Sequence, residues 1–196
     1  MPERPYHHGR LRTVLLDEAQ RVLREKGVDG LSLRDLAREA GVSHAAPRWH
    51  FPDRQALLDA LAEAGFERLA TEARSVIDRI ENDSEARLHA VASAYLEFAI
   101  RDAALLDLMF TARKTEPSPG LLEASDRLFG TTREIIRAAQ QDNTLRTGDP
   151  ERLQTLFIAT LQGIASFAIS GRIAEETAKE LLRDVVVLFS SPNDNR

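Results

Sequence analysis

The sequence predicts an all-α protein of about nine helices, and three observations support this fold class. The 196 residues are rich in Ala, Leu, Glu and Arg, which are good helix formers. Proline is absent from 53–116 and from 151–191, so long helices are uninterrupted there. No segment alternates apolar and polar residues with a period of two, and the longest β-branched run is Val185, Val186 and Val187.

The N-terminal part of the chain predicts two short helices after a longer first one. The first covers about 10–26, where apolar residues recur at spacings of three and four: Leu11, Val14, Leu15, Ala19, Val22 and Leu23. Gly27 suits a C-terminal cap of positive φ. Ser32 is the predicted N-cap of the second helix, with Asp35 at the third position of a shortened capping box. Gly41 ends that helix.

Ser43 is the predicted cap of a third helix that reaches about His50. Pro47 would be its fourth residue and would leave the Ser43 carbonyl unpaired, so we expect a distorted first turn and a very short regular helix. Asp53 is the predicted cap of a fourth helix over about 54–81. The residues of that helix expected to face inward are Leu58, Leu61, Leu69, Val76 and Ile80.

The rest of the chain predicts five more helices, over about 83–101, 105–112, 119–142, 150–170 and 174–189. Two of them have clear starts, because Ser118-Pro119 and Asp149-Pro150 each place a capping side chain before a proline at the first helical position. The residues after 190 are predicted to be a frayed tail.

Composition excludes several classes of protein. There is no cysteine, which excludes disulfides, thiolate zinc sites and cysteine nucleophiles. The first residues lack the apolar core of a secretory signal, and no apolar run approaches the roughly 18 residues of a membrane span. We therefore expect a cytoplasmic protein with no membrane partner. His7 and His8 could hold a metal, but a mobile tail or a DNA-tracking arm is favoured; we predict no metal and no cofactor.

Charge is distributed unevenly along the chain. The net charge of −5 divides into +2 over residues 1–54 and −7 over residues 55–196. Four of the five histidines also lie in the first segment. This asymmetry is typical of an interaction domain joined to an acidic body, so we predict two domains with a boundary after Arg54.

Residues 32–51 carry the pattern of a helix-turn-helix. A small residue, Ala37, allows close contact of two helices, Gly41 permits the positive φ of the turn, and Val42 is the apolar residue that follows. In this motif the second helix enters the major groove of DNA with its N-terminal residues at the base edges. A Gly-Val-Ser turn between two helices is also common in proteins that do not bind DNA.

The chain resembles the TetR family of bacterial transcriptional regulators. The matching segments are LSLRDLA at 31–37, AGVS at 40–43 and HFPDR at 50–54. YHHG at 6–9, VSHAAP at 42–47 and LMF at 108–110 resemble the branch of the family with a Trp-His-Gly motif in its C-terminal domain. The resemblance implies a DNA-binding domain at 1–54 and a helical effector-binding and dimerisation domain at 55–196. The implied DNA-binding residues are Arg34, Ser43, His44, Ala45, Ala46, Arg48, Trp49, His50 and Arg54.

The sequence departs from the family pattern at two places. Arg48-Trp49 stands where Tyr-Arg is common; Arg48 can neutralise a phosphate or read guanine. Trp49 can stack over a sugar or a thymine methyl, or pack against the first helix. Gln162-Gly163 replaces His-Gly, with Phe157 or Ile158 in place of Trp, so the ligand preferences of that branch need not apply here.

The last two long helices predict a homodimer. Residues 156–169 are apolar around the whole helix, so both sides of the helix must be covered by other protein surfaces. The apolar surface of the helix at 174–189 is similarly wide. TetR-family proteins dimerise through these two helices. The resemblance also implies a pocket for a small, lipophilic or aromatic effector. Its candidate residues are Phe66, Tyr95, Phe98, Met109, Phe110, Phe129, Phe157, Gln162 and Ser166.

These features predict a homodimeric, ligand-responsive repressor of a near-palindromic operator in double-stranded DNA. The alternative is a helical protein-interaction adaptor that has lost specific DNA binding, for which Arg48-Trp49 is the best argument. A helical enzyme is disfavoured, because acid–base candidates such as His89 and Glu97 have no partner residue at a spacing typical of a catalytic pair.

Overall fold

A computed structural model describes residues 8–112 and 116–190, which form eight α-helices, two 3₁₀ helices and no β-strand. The α-helices are α1 (His8–Lys26), α2 (Leu33–Glu39), α3 (Arg54–Ile77), α4 (Ser84–Arg101), α5 (Ala103–Ala112), α6 (Pro119–Gln141), α7 (Pro150–Ile169) and α8 (Glu175–Phe189). The 3₁₀ helices are Val28–Gly30 and Ala46–Trp49. The all-α prediction is confirmed.

The chain divides into two compact units. The first comprises Met1–Phe66 with Ala104–Ala124, and the second comprises Glu67–Ala103 with Ser125–Arg196. The proposed division into domains at 1–54 and 55–196 stays a prediction. His7 lies outside the described residues, and so does the predicted tail after Ser190.

α1 contributes one apolar face to the core of the first unit. Five of its six predicted core residues are buried: Leu11, Leu15, Ala19, Val22 and Leu23. The exception is Val14, which is 41% exposed. On α2, Leu36 and Ala37 are buried, and α2 packs against both α1 and the 3₁₀ helix Ala46–Trp49.

The second unit is built around α4, α7 and α8, which pack against one another. α7 buries Leu153, Phe157, Leu161 and Ala165, a stripe with a spacing of four. The Phe157 ring meets the Phe189 ring edge-on, with centroids 5.8 Å apart. This stripe covers one side of α7, and the other side remains at the surface.

A cluster of opposite charges joins α3 to the end of α4 within the second unit. Oδ2 of the buried Asp102 accepts from Nη2 of Arg68 at 2.6 Å and from Nε of Arg101 at 3.0 Å. Both guanidinium groups lie over the Phe98 ring. Glu72 pairs with Arg101 at 2.7 Å. The cluster fixes residues that are 34 positions apart in sequence.

Two expected helices differ from the structure. The predicted α-helix at 43–50 is replaced by the four-residue 3₁₀ helix Ala46–Trp49, so the described chain has eight α-helices rather than nine. The helix predicted to reach residue 81 ends at Ile77, because the backbone turns: Ile80 N–H donates to the Ile77 carbonyl and Asn82 has a φ of +50°. The Arg87 guanidinium donates to the Ile80 carbonyl, so the carbonyl of this turn has a hydrogen-bond partner.

α7 is more apolar than predicted from the sequence. Among the described helices it alone is long and apolar enough to cross a membrane by length and composition, with an 18-residue window of mean hydropathy 1.2. The core helix of a soluble protein meets the same criteria. Its buried Gln154 bonds to the Phe129 carbonyl and accepts from Arg133, which places that polar residue in a protein interior.

Candidate functional site

The turn after α2 has the geometry expected of a helix-turn-helix. The Ser32 hydroxyl accepts from the Asp35 N–H at 3.4 Å and caps the start of α2, as predicted. At the other end, Val42 N–H donates to the Ala37 carbonyl and Gly41 N–H to the Arg38 carbonyl. These two bonds form a Schellman motif, which requires a left-handed residue at Gly41, where φ is +67°. The chain therefore leaves α2 in a fixed direction.

The segment that follows is shaped by Pro47. Ser43 was expected to cap an α-helix and to lose a partner for its carbonyl; both expectations are wrong. The N-cap of the 3₁₀ helix is Ala45, without a side-chain cap bond, and the Ser43 carbonyl accepts from Ala46 N–H at 3.0 Å. Proline cannot donate the bond of an α-turn, and the tighter turn lets the preceding residue donate instead. The predicted distortion is thus present, as a single 3₁₀ turn.

The start of α3 holds this segment in place. Oδ1 of Asp53 accepts from Ala56 N–H at 2.8 Å, which confirms Asp53 as the cap. Arg54 is one of the predicted DNA-binding residues, and its side chain donates to the Leu31 carbonyl at 3.1 Å and the Val28 carbonyl at 2.6 Å. It ties α3 to the loop before α2. The Phe51 ring is buried beneath the Arg12 guanidinium.

Most predicted DNA-binding side chains lie together at the surface of this segment. Ser43, His44, Ala45, Arg48 and Trp49 are exposed, Ala46 and His50 are half-buried, and Arg34 is exposed on α2. Trp49 is 88% exposed, so the alternative in which it packs against α1 is wrong. A groove of about 430 Å³ lies beside it, bordered by Leu11, Gly41, Ser43 and His50. We call residues 43–49, which are mostly exposed, the reading segment.

The candidate effector residues fall in both compact units. Phe66, Met109 and Phe110 belong to the first, where Phe66 and Phe110 meet edge-on with centroids 6.1 Å apart. Tyr95, Phe98, Phe129, Phe157, Gln162 and Ser166 belong to the second. Of these, Phe98 is covered by two guanidinium groups and Ser166 is exposed.

Tyr95 is the candidate with an unusual environment. Its side chain is 7% exposed, and its hydroxyl has no hydrogen-bond partner of normal geometry among the described residues. Burial raises the pKa of Tyr95 above its ordinary value, and the nearby Gln162 amide opposes part of that shift. The phenol therefore stays protonated at neutral pH and is a hydrogen-bond donor.

α7 and α8 leave apolar residues at the surface of the second unit. On α7 the exposed residues Leu156, Ala159, Gly163 and Phe167 follow one another at spacings of three and four, and Phe167 is 48% exposed. On α8, Val187 and Leu188 are 64% and 74% exposed. A Cβ added at Gly163 would meet no atom within 4 Å. We call these six residues the apolar face.

Two family models match the sequence. The first describes bacterial regulatory proteins of the tetR family and matches residues 15–61, which include the helix-turn-helix. The second describes the C-terminal domain of tetracycline repressor-like proteins and matches residues 88–189. Together they cover well over half of the chain. The chain belongs to the TetR family. Both models describe regulators rather than enzymes.

Individual relatives support the same assignment. The tetracycline repressor class A of transposon 1721 from Escherichia coli is 36% identical over 107 residues, which are 54% of this chain and 46% of that protein. The chain thus spans about half the length of this relative. The HTH-type transcriptional repressor Rv1474c of Mycobacterium tuberculosis is 28% identical over 89% of this chain and 91% of its own.

Solved structures agree with the fold. A protein of unknown function from Rhodococcus sp. RHA1 has a TM-score of 0.85 and 44% identity, covering 95% of this chain and 97% of its own. A bacterial regulatory protein of the tetR family from Rhodococcus RHA1 has a TM-score of 0.75 over 93% of this chain and 98% of its own. The latter is 15% identical and supports the fold alone.

Proposed function

We propose that this TetR-family chain is a cytoplasmic, homodimeric transcriptional regulator that binds near-palindromic double-stranded DNA and is released by a small effector. The observation that carries the proposal is the exposed reading segment at the helix-turn-helix. The names of two relatives, a tetracycline repressor and a transcriptional repressor, favour repression over activation.

The reading segment is preorganised for binding to a surface. Its start is fixed by the Schellman motif at Gly41 and its end by the Asp53 cap, while its own Pro47 is buried. Arg48 supplies a charge that can pair with a phosphate or with guanine. Trp49 supplies a flat apolar surface that suits a sugar or a thymine methyl. An exposed tryptophan has no role in the core, so a partner surface accounts for it.

The second half of the proposal is a dimer through α7 and α8. Leu156 and Phe167 are large apolar residues at the surface, and Ala159 and Gly163 between them are small enough for close approach of a second helix. Val187 and Leu188 extend this apolar face onto α8. A twofold axis would pair each face with its copy, since an isologous interface uses the same residues twice. Two reading segments would then be held at a fixed spacing, which suits a near-palindromic site.

The charge balance makes the dimer necessary for affinity. Residues 1–54 carry a net charge of only +2, so one N-terminal domain neutralises few phosphates. Two domains on one rigid dimer double the contacts, and the second binds at a high effective concentration. An effector that favours the conformation with the wrong spacing would release DNA by shifting that equilibrium.

DNA retardation with variants of the reading segment tests the proposal. Arg48→Ala and Trp49→Ala should each weaken specific binding about tenfold, because a base or phosphate contact is worth roughly 1–3 kcal/mol. The matched control is Arg137→Ala, which removes an exposed arginine from α6 in the second unit. Equal weakening by all three would overturn the role of the reading segment. Specific protein capture without any DNA preference would favour the adaptor.

Sedimentation tests the interface. Phe167→Asp places a charge in the apolar face and should convert the dimer to a monomer, because a buried unpaired carboxylate is costly. Val14→Asp is the control, since Val14 is similarly exposed but lies on α1 in the first unit. A Phe167→Asp protein that remains dimeric would overturn the proposed interface.

A further inference from the structure

The Tyr95 hydroxyl is a buried donor with no hydrogen-bond partner of normal geometry among the described residues. Buried polar groups nearly always have a partner, so an exception calls for an explanation. The hydroxyl of Thr132 shows the usual arrangement in the same unit, since it is buried and donates to the Leu128 carbonyl. The Tyr95 hydroxyl makes no bond of normal geometry within the described part of the chain, although the Gln162 amide is near enough to lower its pKa. Burial of an unsatisfied hydroxyl destabilises the fold. A bound ligand that supplies the missing acceptor would remove this cost.

The surroundings of Tyr95 on α4 and α7 are apolar. Along its own helix the neighbours one turn away, Val91, Ala92, Phe98 and Ala99, are all buried. α7, which packs against α4, contributes the buried Leu161 and Ala165 beside the half-buried Gln162. Gln162 is the polar side chain that influences the Tyr95 hydroxyl. Its amide can either donate or accept, so together the two residues can hold one oxygen of a ligand.

Charge in the interior of the second unit is already balanced. Among the described residues of that unit, Asp102 is the one buried side chain that is charged at neutral pH, and Arg68 and Arg101 both pair with it. An ionised ligand would therefore bring an unmatched charge into an apolar interior, at a large desolvation cost. A neutral ligand avoids that cost.

We propose that the effector is an uncharged, mainly apolar molecule with an acceptor oxygen, such as a ketone, that receives a hydrogen bond from Tyr95 beside Gln162. This inference rests on the proposed function, because it specifies the ligand class of the regulator. Phe98 is not part of the contact surface, since its ring faces the two guanidinium groups. Tyr95 thus selects among apolar molecules by the presence of an acceptor.

The test is a binding measurement with matched probes of three sizes. The ketones are acetophenone, 2-acetylnaphthalene and 2-acetylanthracene. Each is paired with its ethyl hydrocarbon and with its aromatic carboxylate, and binding to the full chain is measured by ligand-observed NMR and thermal shift. In the wild-type protein the best ketone should bind at least about tenfold more tightly than its hydrocarbon and carboxylate partners.

Two variants isolate the hydroxyl. Tyr95→Phe should weaken ketone binding about three- to tenfold, the size of one neutral hydrogen bond, and leave hydrocarbon binding unchanged. Thr132→Val removes a buried hydroxyl that has a partner and should leave ketone binding unchanged. Because Tyr95→Phe removes an unsatisfied group, the ligand-free variant should melt at or above the wild-type temperature.

Three results would overturn the inference. They are a preference for the carboxylates, a ketone preference that survives Tyr95→Phe, and no ketone binding up to the solubility limit. Operator binding is measured separately by gel retardation without any ligand. A protein that binds ketones through Tyr95 but shows no specific DNA binding would overturn the proposed regulator and keep the ligand site. A protein that binds DNA specifically but does not bind ketones through Tyr95 would overturn the proposed ligand class and keep the proposed regulator.

Discussion

Replacing Gly41 by alanine tests whether the turn before the reading segment depends on its backbone conformation. Gly41 has a φ of +67°, where a residue with a Cβ is strained by about 1–2 kcal/mol. A Cβ built at Gly41 meets no atom within 4 Å, so no side-chain clash adds to that strain. We therefore expect Gly41→Ala to lower the free energy of unfolding by about 1–2 kcal/mol.

The matched control is Gly130→Ala, because a Cβ at Gly130 also meets no atom within 4 Å. Gly130 lies inside α6 with ordinary helical geometry, where alanine is favoured over glycine by about 1 kcal/mol. The same substitution should therefore stabilise the protein at Gly130 and destabilise it at Gly41. Both variants are compared by urea unfolding at one protein concentration, because the proposed dimerisation would make stability depend on concentration. A neutral Gly41→Ala, or a loss of stability in both variants, would refute the reasoning.

Two further predictions concern single carboxylates. Asp102→Ala leaves Arg68 and Arg101 without their buried partner, and should cost about 2–3 kcal/mol, below the 3–5 of a fully buried pair because both guanidinium groups reach solvent. Glu67→Ala, which breaks an exposed pair, should change the free energy of unfolding by less than about 0.5 kcal/mol, and equal losses in the two variants would contradict this. Asp53→Ala removes the cap of α3 and should lower the free energy of unfolding by about 1 kcal/mol in the same urea titration. Asp53→Asn should keep most of the stability that the cap contributes, because asparagine is also a good N-cap. An Asp53→Ala variant as stable as the wild type would show that the cap contributes nothing.

The helix boundaries could be predicted from sequence because their signals are local. Ser32, Asp53 and Asp149 each cap the helix that was expected, and in each case the bond spans two or three residues. The Ser118 hydroxyl likewise accepts from Leu121 N–H at the start of α6. A capping side chain and a following proline act within one turn, so they need no knowledge of the tertiary structure.

The features that were missed depend on contacts between distant residues. The DNA-binding role of Arg54 stays a prediction, but no local pattern indicates that its side chain bonds to carbonyls 23 and 26 residues earlier in the chain. The Asp102 cluster was not foreseen, because nothing in the local sequence distinguishes Asp102 from other acidic residues. The exposure of Trp49 was left open, since tryptophan is common both in cores and at interfaces.

The candidate sites were predicted to different degrees. The reading segment lies on one continuous stretch of chain, so a sequence motif could specify most of its residues. The effector candidates were chosen as aromatic residues, and aromatic residues are usually core. The unsatisfied hydroxyl that distinguishes Tyr95 is a property of the packed structure and has no signature in the sequence.

The most direct test of the account is retardation of the DNA upstream of the chain's own gene, titrated at several salt concentrations. We predict two chains per DNA fragment, a protected site with twofold symmetry, and half-site centres about 34–36 Å or a multiple of that apart. Binding should fall steeply with salt, because phosphate contacts release counterions. Binding without sequence preference, or a single chain per site, would contradict the claim that this is a dimeric DNA-binding regulator.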